Sequence, residues 1–170
     1  MKTRDLTYMA LYLAVFTVLE YISARLPILR MPNGGSIGLA VVALLLASYH
    51  LGWKKGVAIG VLSVALKSIV GQLWIVDFPQ FVLEYILAFG IYGLAVLFTN
   101  IKIGAVTIYT GIIVTNVLRF LFHLVAGVYY WGIDWHGSFV YNFGYMFATM
   151  ILCLIVVPII KSRLPELKEK

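Results

Sequence analysis

Apolar residues along this chain form six long segments, separated by short polar or turn-rich stretches. Most of these segments approach the roughly 20 residues that a helix needs to cross about 30 Å of hydrocarbon. The pattern therefore predicts an all-α integral membrane protein, a bundle of six transmembrane helices. The expected helices are Leu6–Ala24, Ser36–Leu51, Gly56–Gln72, Pro79–Phe98, Ile103–Val128 and Ser138–Ile160.

Turn signals set several of these boundaries. The stretch RLPILRMPNGG contains two prolines and an Asn-Gly-Gly run, which exclude a continuous helix. Ser36 follows it and is a suitable N-cap for the second helix. The residues from Gly52 to Lys55 predict a tight basic turn, and Pro79 is favoured in the first turn of the fourth helix.

Composition supports the membrane assignment. Of the 170 residues, 62% are hydrophobic and 12% are charged, and the mean hydropathy is +0.98. Soluble domains carry about 25% charged residues, so this chain could not cover its surface with polar groups. We expect residues 1–170 to form a single transmembrane domain. The basic start and the apolar run after it could be a signal peptide, but Glu20 and the lack of a clear cleavage site favour a retained first helix.

The formal charge of +6 is distributed unevenly. With a cytoplasmic N-terminus, the outer loops hold only Arg25 and Arg30, together with many aromatic residues. This positive-inside bias predicts that both termini are cytoplasmic, and it explains the excess charge without a nucleic-acid partner. The basic residues on the cytoplasmic side would be Lys2, Arg4, Lys54, Lys55, Lys102, Lys161, Arg163, Lys168 and Lys170.

Helices four to six can direct polar side chains into one volume near the outer half of the membrane. Residues three or four apart share a helix face, and ionisable groups within a span usually face a cavity or a partner. We predict a ligand pocket there, with the aromatic residues of the outer loops above it. Its candidate residues are Gln80, Glu84, Tyr85, His123, Tyr141, Asn142 and Tyr145.

An alternative is that Glu84 is the counter-ion of Arg119 or Lys67 in a buried pair without a ligand. We interpret Glu20 and Lys67 as structural, and Arg119 as neutralising a neighbouring group. No second His or Cys accompanies His123, so a metal site is not expected. Cys153 is interpreted as a small packed hydrophobic residue.

The predicted chemistry of the pocket favours a small, planar, partly polar cation. A carboxylate in a low-dielectric pocket attracts positive charge, and aromatic rings stack on flat or cationic rings. His and Asn add directional hydrogen bonds. The sequence contains no nucleophile triad, phosphate-binding glycine loop or metal motif, so neither enzyme activity nor a cofactor is expected.

The residues in these segments resemble a known family. The motifs are Glu84–Tyr85, the stretch LRFLFHLVAGVYYW with its Arg-x-x-x-His and Trp131, and the YN of VYNFGYM. They are similar to those of the ThiT family, the thiamine-specific substrate-binding (S) components of energy-coupling factor (ECF) transporters. The resemblance covers nearly the whole chain. Two departures are Gly137, where the family usually carries a Tyr, and the lack of a Trp in the first loop.

The resemblance implies roles for individual residues. Glu84 would face the cationic part of thiamine, whereas Tyr85, His123 and Asn142 would donate or accept hydrogen bonds and Trp131 would stack on the ligand. Ala10 and Ala14 form a small-xxx-small face, which alone could arise by chance. In S components such a face docks on a transmembrane coupling subunit that works with two ATPase subunits.

The resemblance also implies a function. The protein would capture extracellular thiamine with high affinity in a bacterial cytoplasmic membrane, as a multi-pass subunit of an ECF-type importer, with ATP hydrolysed by the partner subunits. Two alternatives are an S component for a thiamine precursor or another vitamin, and a structural membrane subunit without a transport role.

Overall fold

Six helices account for most of the chain. A computed structural model describes residues 3–31, 34–70, 73–104 and 106–163. Within these residues the helices are α1 (Thr3–Arg25), α2 (Val41–Leu51), α3 (Trp53–Val70), α4 (Phe78–Leu97), α5 (Thr110–Tyr129) and α6 (Trp135–Arg163). A short 3₁₀ turn, Pro27–Leu29, follows α1, and a two-stranded hairpin, β1 (Ile101–Ile103) and β2 (Val106–Ile108), precedes α5.

The prediction of an all-α bundle with six helices is confirmed. Four of the helices, α1, α4, α5 and α6, are long and apolar enough to cross a membrane. Helices α2 and α3, which the sequence pattern also predicted to cross the membrane, are not among these four. Helix α2 has 11 residues, which at 1.5 Å per residue covers only about half of the hydrocarbon thickness.

Helix α2 forms the centre of the bundle. All residues from Val41 to Tyr49 are buried, and Leu44 and Leu45 are completely inaccessible. The helix packs against α1, α3, α4 and α6. A helix that is apolar on every side is stable only inside such a shell, so the neighbouring helices remove the need for a polar face.

The predicted start of the second helix at Ser36 is wrong. Ser36 pairs with Arg30 in an isolated bridge, and the Ile37 N–H donates to the Leu29 carbonyl over 2.8 Å. The helix begins at Val41 instead, and its N-cap residue Ala40 offers no side-chain hydrogen bond. Backbone pairing across the first loop (residues 26–40) therefore replaces the expected serine cap.

The predicted start of the fifth helix at Ile103 is also wrong. Ile101 pairs with Ile108 across the β1–β2 hairpin, and Gly104 has a φ of 59° at its turn. Short runs rich in β-branched residues favour extended structure, and a glycine permits the left-handed backbone at the turn. An apolar run of this length does not distinguish a strand from a helix, which is why the sequence pattern merged the hairpin with α5.

Smaller differences concern two further helices. Helix α3 begins at Trp53 rather than Gly56, and its predicted end at Gln72 lies outside the described residues. Helix α6 begins at Trp135 rather than Ser138, because the Asp134 carboxylate accepts the Gly137 N–H over 3.0 Å and caps the first turn. The same hydrogen bond lowers the pKa of the Asp134 carboxyl.

Glycines allow α3 and α4 to approach each other closely. A Cβ added at Gly93 of α4 would overlap backbone atoms of Gly56 and Val57 in α3, and one added at Gly60 would overlap the Phe89 carbonyl. Small residues at such contacts let helix backbones pack closely in membranes. This contact holds the α4 segment that carries the site residues against α3.

We expect Gly93→Ala to lower the stability of the bundle by about 1–3 kcal/mol, because the added methyl forces the two backbones apart. The measurement is thermal unfolding of the purified protein in detergent. Gly144→Ala in α6 is the matched control, since its Cβ would meet nothing within 4 Å. Equal melting temperatures for the two variants would contradict the close-packing role of Gly93.

Candidate ligand-binding site

A cavity of about 430 Å³ opens at the end of the bundle where α3 and α5 finish and α4 and α6 begin. Pockets for small ligands are typically about 300–1,000 Å³. The first loop and the segment before α4 contribute to its wall. Of the residues predicted to bind a ligand, those lining the cavity are Glu84, Tyr85, His123, Trp131, Tyr141, Asn142 and Tyr145.

Glu84 is the only carboxylate among the described lining residues. Its Oε1 lies 3.2 Å from His123 Nδ1, its Oε2 accepts the Trp131 Nε1–H over 3.0 Å, and the Gln80 amide also donates to it. The side chain is only 10% exposed. Among the described residues, no Lys or Arg nitrogen pairs with it, so a buried Glu84–Lys67 or Glu84–Arg119 pair is not what the structure contains.

Helix α4 widens where it carries Glu84. Residues Val82–Leu87 form a π-helical turn, which is followed by an α-helical segment and then by the 3₁₀ segment Ile91–Leu97. Single π turns within α-helices occur frequently at functional sites. In α4 the turn contains both Glu84 and Tyr85, the two adjacent residues that line the cavity.

Gln80 lies behind Glu84 rather than in the cavity wall. It is fully buried, and besides Glu84 its amide donates to the Trp74 carbonyl over 3.1 Å and accepts the Val76 N–H over 3.2 Å. Gln80 therefore ties the carboxylate to the segment before α4. Gln80 was predicted as a possible ligand-binding residue, but in the structure it supports Glu84 and does not line the cavity.

Trp74, which was not predicted as a site residue, lines the cavity and is held by hydrogen bonds to Tyr85. The Tyr85 hydroxyl accepts the Trp74 N–H over 2.9 Å and donates to the Trp74 carbonyl over 3.1 Å. A Cβ added at Gly34 would lie 3.1 Å from the Trp74 indole nitrogen. The Trp74 ring therefore packs against the first loop, in the region where the sequence lacks the tryptophan of the resembled family.

Helix α6 supplies polar side chains that form hydrogen bonds within the helix or with the first loop. The Tyr145 hydroxyl donates to Asn142 Oδ1 over 2.6 Å, and Asn142 Nδ2 donates to the Ser138 carbonyl over 2.9 Å. The Tyr141 hydroxyl accepts the Gly35 N–H over 3.1 Å. The Thr149 hydroxyl of the same helix accepts the Gly38 N–H over 2.9 Å. The described part of the first loop is thus tied to α6 through Tyr141 and Thr149.

The interpretation of Arg119 as the neutraliser of a neighbour is not supported by its contacts. Its guanidinium lies over the rings of Phe89 and Tyr92, at 5.0 and 5.8 Å from their centroids, and donates to the Tyr92 hydroxyl over 3.3 Å. It lines the cavity, and its Nε has no partner among the described residues. Aromatic faces, which attract cations, hold this charge in place.

Two further outcomes concern residues that were not predicted to bind the ligand, namely Lys67 and the predicted docking residues Ala10 and Ala14. Lys67 lines the cavity while forming an ion pair with Glu20 of α1; its position on the buried face of α3 could be inferred from sequence, but its partner could not. Ala10 and Ala14 lie on the exposed surface of α1 and do not line the cavity. No group of His, Cys, Asp and Glu suited to a metal ion occurs within the described part of the chain.

Fold and site together define a multi-pass helical membrane protein with a polar, aromatic-rimmed cavity among its helix ends. The chain belongs to the thiamine transporter protein family (Thia_YuaJ), whose profile matches residues 6–169. This is a family of transporters, and the prediction that the protein is not an enzyme is confirmed on that ground.

Individual relatives agree with this membership. The chain is 26% identical to the thiamine transporter ThiT of Bacillus subtilis (strain 168), over 93% of this chain and 90% of that protein. It is 28% identical to ThiT of Lacticaseibacillus paracasei, over 79% and 75% of the two chains. The solved structure of ThiT from Listeria monocytogenes has the same fold, with a TM-score of 0.68, 23% identity and coverage of 98% and 94%.

The buried hydroxyl of Tyr92 leads to a prediction about the support of Arg119, which lines the cavity. It donates to Asn116 Oδ1 over 2.9 Å and accepts from Arg119. Tyr92→Phe leaves both partners less satisfied, so we expect a loss of about 1–3 kcal/mol in stability, measured by thermal unfolding. The control Tyr129→Phe removes a hydroxyl from a ring that is 71% exposed. Unfolding at the parent temperature would refute the stabilising role of this hydroxyl.

Proposed function

We propose that the protein captures thiamine from outside the cell as the substrate-binding component of an ECF-type importer in a bacterial cytoplasmic membrane. Family membership supports a role in thiamine uptake. The single observation that carries the proposal is the Glu84 carboxylate, which lies in the cavity wall without a Lys or Arg partner among the described residues.

A carboxylate in this setting favours a cationic ligand. Glu84 is held by a tryptophan N–H, a glutamine amide and a histidine nitrogen, and these donors stabilise it in place without a permanent cationic side chain. Thiamine carries a positively charged aromatic ring. Because no Lys or Arg side chain among the described residues pairs with Glu84, a cationic ligand would gain the full Coulomb attraction to this carboxylate.

The other lining residues suit the remaining parts of such a ligand. The aromatic faces of Trp131 and Trp74 offer stacking surfaces for flat, positively charged rings. His123, whose Nε2 has no partner among the described residues, and Asn142 offer directional hydrogen bonds. Tyr85, Tyr141 and Tyr145 complete a polar wall that could recognise ring nitrogens, an amine and a hydroxyl.

High affinity would require closure of the first loop over the ligand. Tyr141 and the Tyr145 ring already contact Gly35 of this loop. Ordering a loop costs conformational entropy, so the hydrogen bonds, stacking and charge contact must together exceed that cost. A loop that is held near the cavity before binding has less freedom to lose.

Transport would depend on docking to partner subunits through α1. Ala10 and Ala14 are exposed on that helix, and small residues permit close approach of another helix. The partner would be a transmembrane coupling subunit that works with two ATPase subunits. The positive-inside bias would place the cavity on the outer side and both termini in the cytoplasm.

We expect purified protein to show quenching of tryptophan fluorescence on titration with thiamine, since Trp74 and Trp131 line the cavity. Glu84→Gln preserves the shape of the side chain but removes its charge, so affinity should fall by at least about tenfold, or 1.4 kcal/mol. Asp5→Asn, at an acid that pairs with Lys55 outside the cavity, is the charge-matched control and should bind as the parent does.

The outcomes of this titration separate the parts of the proposal. If Glu84→Gln binds thiamine as tightly as the parent protein, the role of the carboxylate is wrong. If thiamine gives no signal while another vitamin or a thiamine precursor does, the ligand is wrong and capture by this cavity stands.

We expect the double variant Ala10→Leu/Ala14→Leu to retain thiamine binding but to lose most uptake when it is produced with its partner subunits. Larger side chains on this face would prevent close helix contact. Ala65→Leu makes the same change at an exposed alanine of α3 and is the control. Uptake of labelled thiamine into cells or proteoliposomes is the measurement, and full uptake by the double variant would exclude docking through these alanines.

A further inference from the structure

The buried ion pair between Glu20 and Lys67 is not used by the binding chemistry described above. Glu20 lies on α1 and Lys67 on α3, and the two side chains are only 5% and 11% exposed. Lys67 lines the cavity, whereas Glu20 lies behind the wall. The pair therefore joins a charged residue of the cavity wall to α1, a helix that contributes no residue to the cavity lining.

The charges around the cavity make this connection important. Apart from His123, the charged groups among the described lining residues are the cations Lys67 and Arg119 and the single carboxylate Glu84. Arg119 is held over Phe89 and Tyr92 without a carboxylate partner among the described residues. If Lys67 were also unpaired, the cavity wall would be net positive and would oppose a cationic ligand.

Glu20 removes that opposition. Its carboxylate accepts from the Lys67 ammonium, which also lies 5.6 Å from the centroid of the Phe89 ring. In a low-dielectric interior the field of one unpaired charge reaches across several ångströms. Pairing at the back of the wall offsets the lysine charge, and Glu84 remains available to a cation.

We propose that Glu20 is a positioning residue that sets the charge preference of the cavity by neutralising Lys67. Under this proposal the lysine is tolerated in the wall of a cation site only because an acid from α1 pairs with it. The inference rests on the proposed binding of thiamine and extends it to a residue outside the cavity.

The test compares two ligands in four proteins by titration. The ligands are thiamine and a neutral isostere in which an uncharged ring replaces the thiazolium. The proteins are the parent, Glu20→Gln, Lys67→Met and the double variant Glu20→Gln/Lys67→Met. The comparison between a charged and an uncharged ligand separates an electrostatic effect from a general loss of structure.

Glu20→Gln should weaken thiamine binding by about tenfold or more and binding of the neutral isostere by less than about threefold. The double variant also lacks the Glu20 carboxylate, but it has no lysine charge left to neutralise. It should therefore bind thiamine within about threefold of the parent. Equal loss for both ligands, unchanged thiamine binding by Glu20→Gln, or no recovery in the double variant would overturn the proposal.

A buried lysine without its partner could prevent Glu20→Gln from folding, and Lys67→Met then decides. This variant should bind thiamine at least as tightly as the parent, because the lysine is not itself a ligand contact. A loss of more than about tenfold would refute the inference. If the parent binds neither ligand, the proposed function fails and this inference fails with it, whereas failure of the variants alone leaves thiamine binding intact.

Discussion

The Glu84 carboxylate is buried in the wall of a membrane-spanning bundle, where an anion without partners would be very costly. It is stabilised by donors from three places: Gln80 one turn earlier in α4, His123 of α5 and Trp131 just after α5. These contacts require α4 and α5 to meet at one depth. The π turn in α4, the close packing of its glycines on α3 and the loop after α5 all serve this arrangement.

The two buried cations of the cavity wall are kept apart from that carboxylate by different means. Lys67 is paired with Glu20 of α1, and Arg119 lies over two aromatic rings. Both cations nevertheless line the cavity. The charges at the cavity wall therefore come from α3, α4 and α5, with a counter-charge from α1, and under the proposed function their balance sets the electrostatic field that a ligand meets.

The centre of the helix bundle is packed more tightly than the first loop. Helix α2 is buried on all sides, and α3 and α4 are in backbone contact through glycines, so the centre of the bundle has little room to move. The first loop is joined to α6 by hydrogen bonds from Gly35 to Tyr141 and from Gly38 to Thr149, and it packs on Tyr145 and Trp74. A closely packed base and a loop held by a few contacts suit the proposed capture of a ligand.

The residue pattern alone determined the membrane setting, the six helices and most of the polar residues that line the cavity, because hydrophobic length and helical periodicity are local properties of a chain. It could not distinguish the β1–β2 hairpin from the start of α5, since short apolar runs suit either structure. Only the tertiary structure decided the partners of the buried charges. Whether Lys67 pairs with Glu20 or Glu84, and whether Arg119 meets a carboxylate or an aromatic ring, depends on how distant helices pack, and Coulomb interactions and hydrogen bonds act only once those helices are in contact.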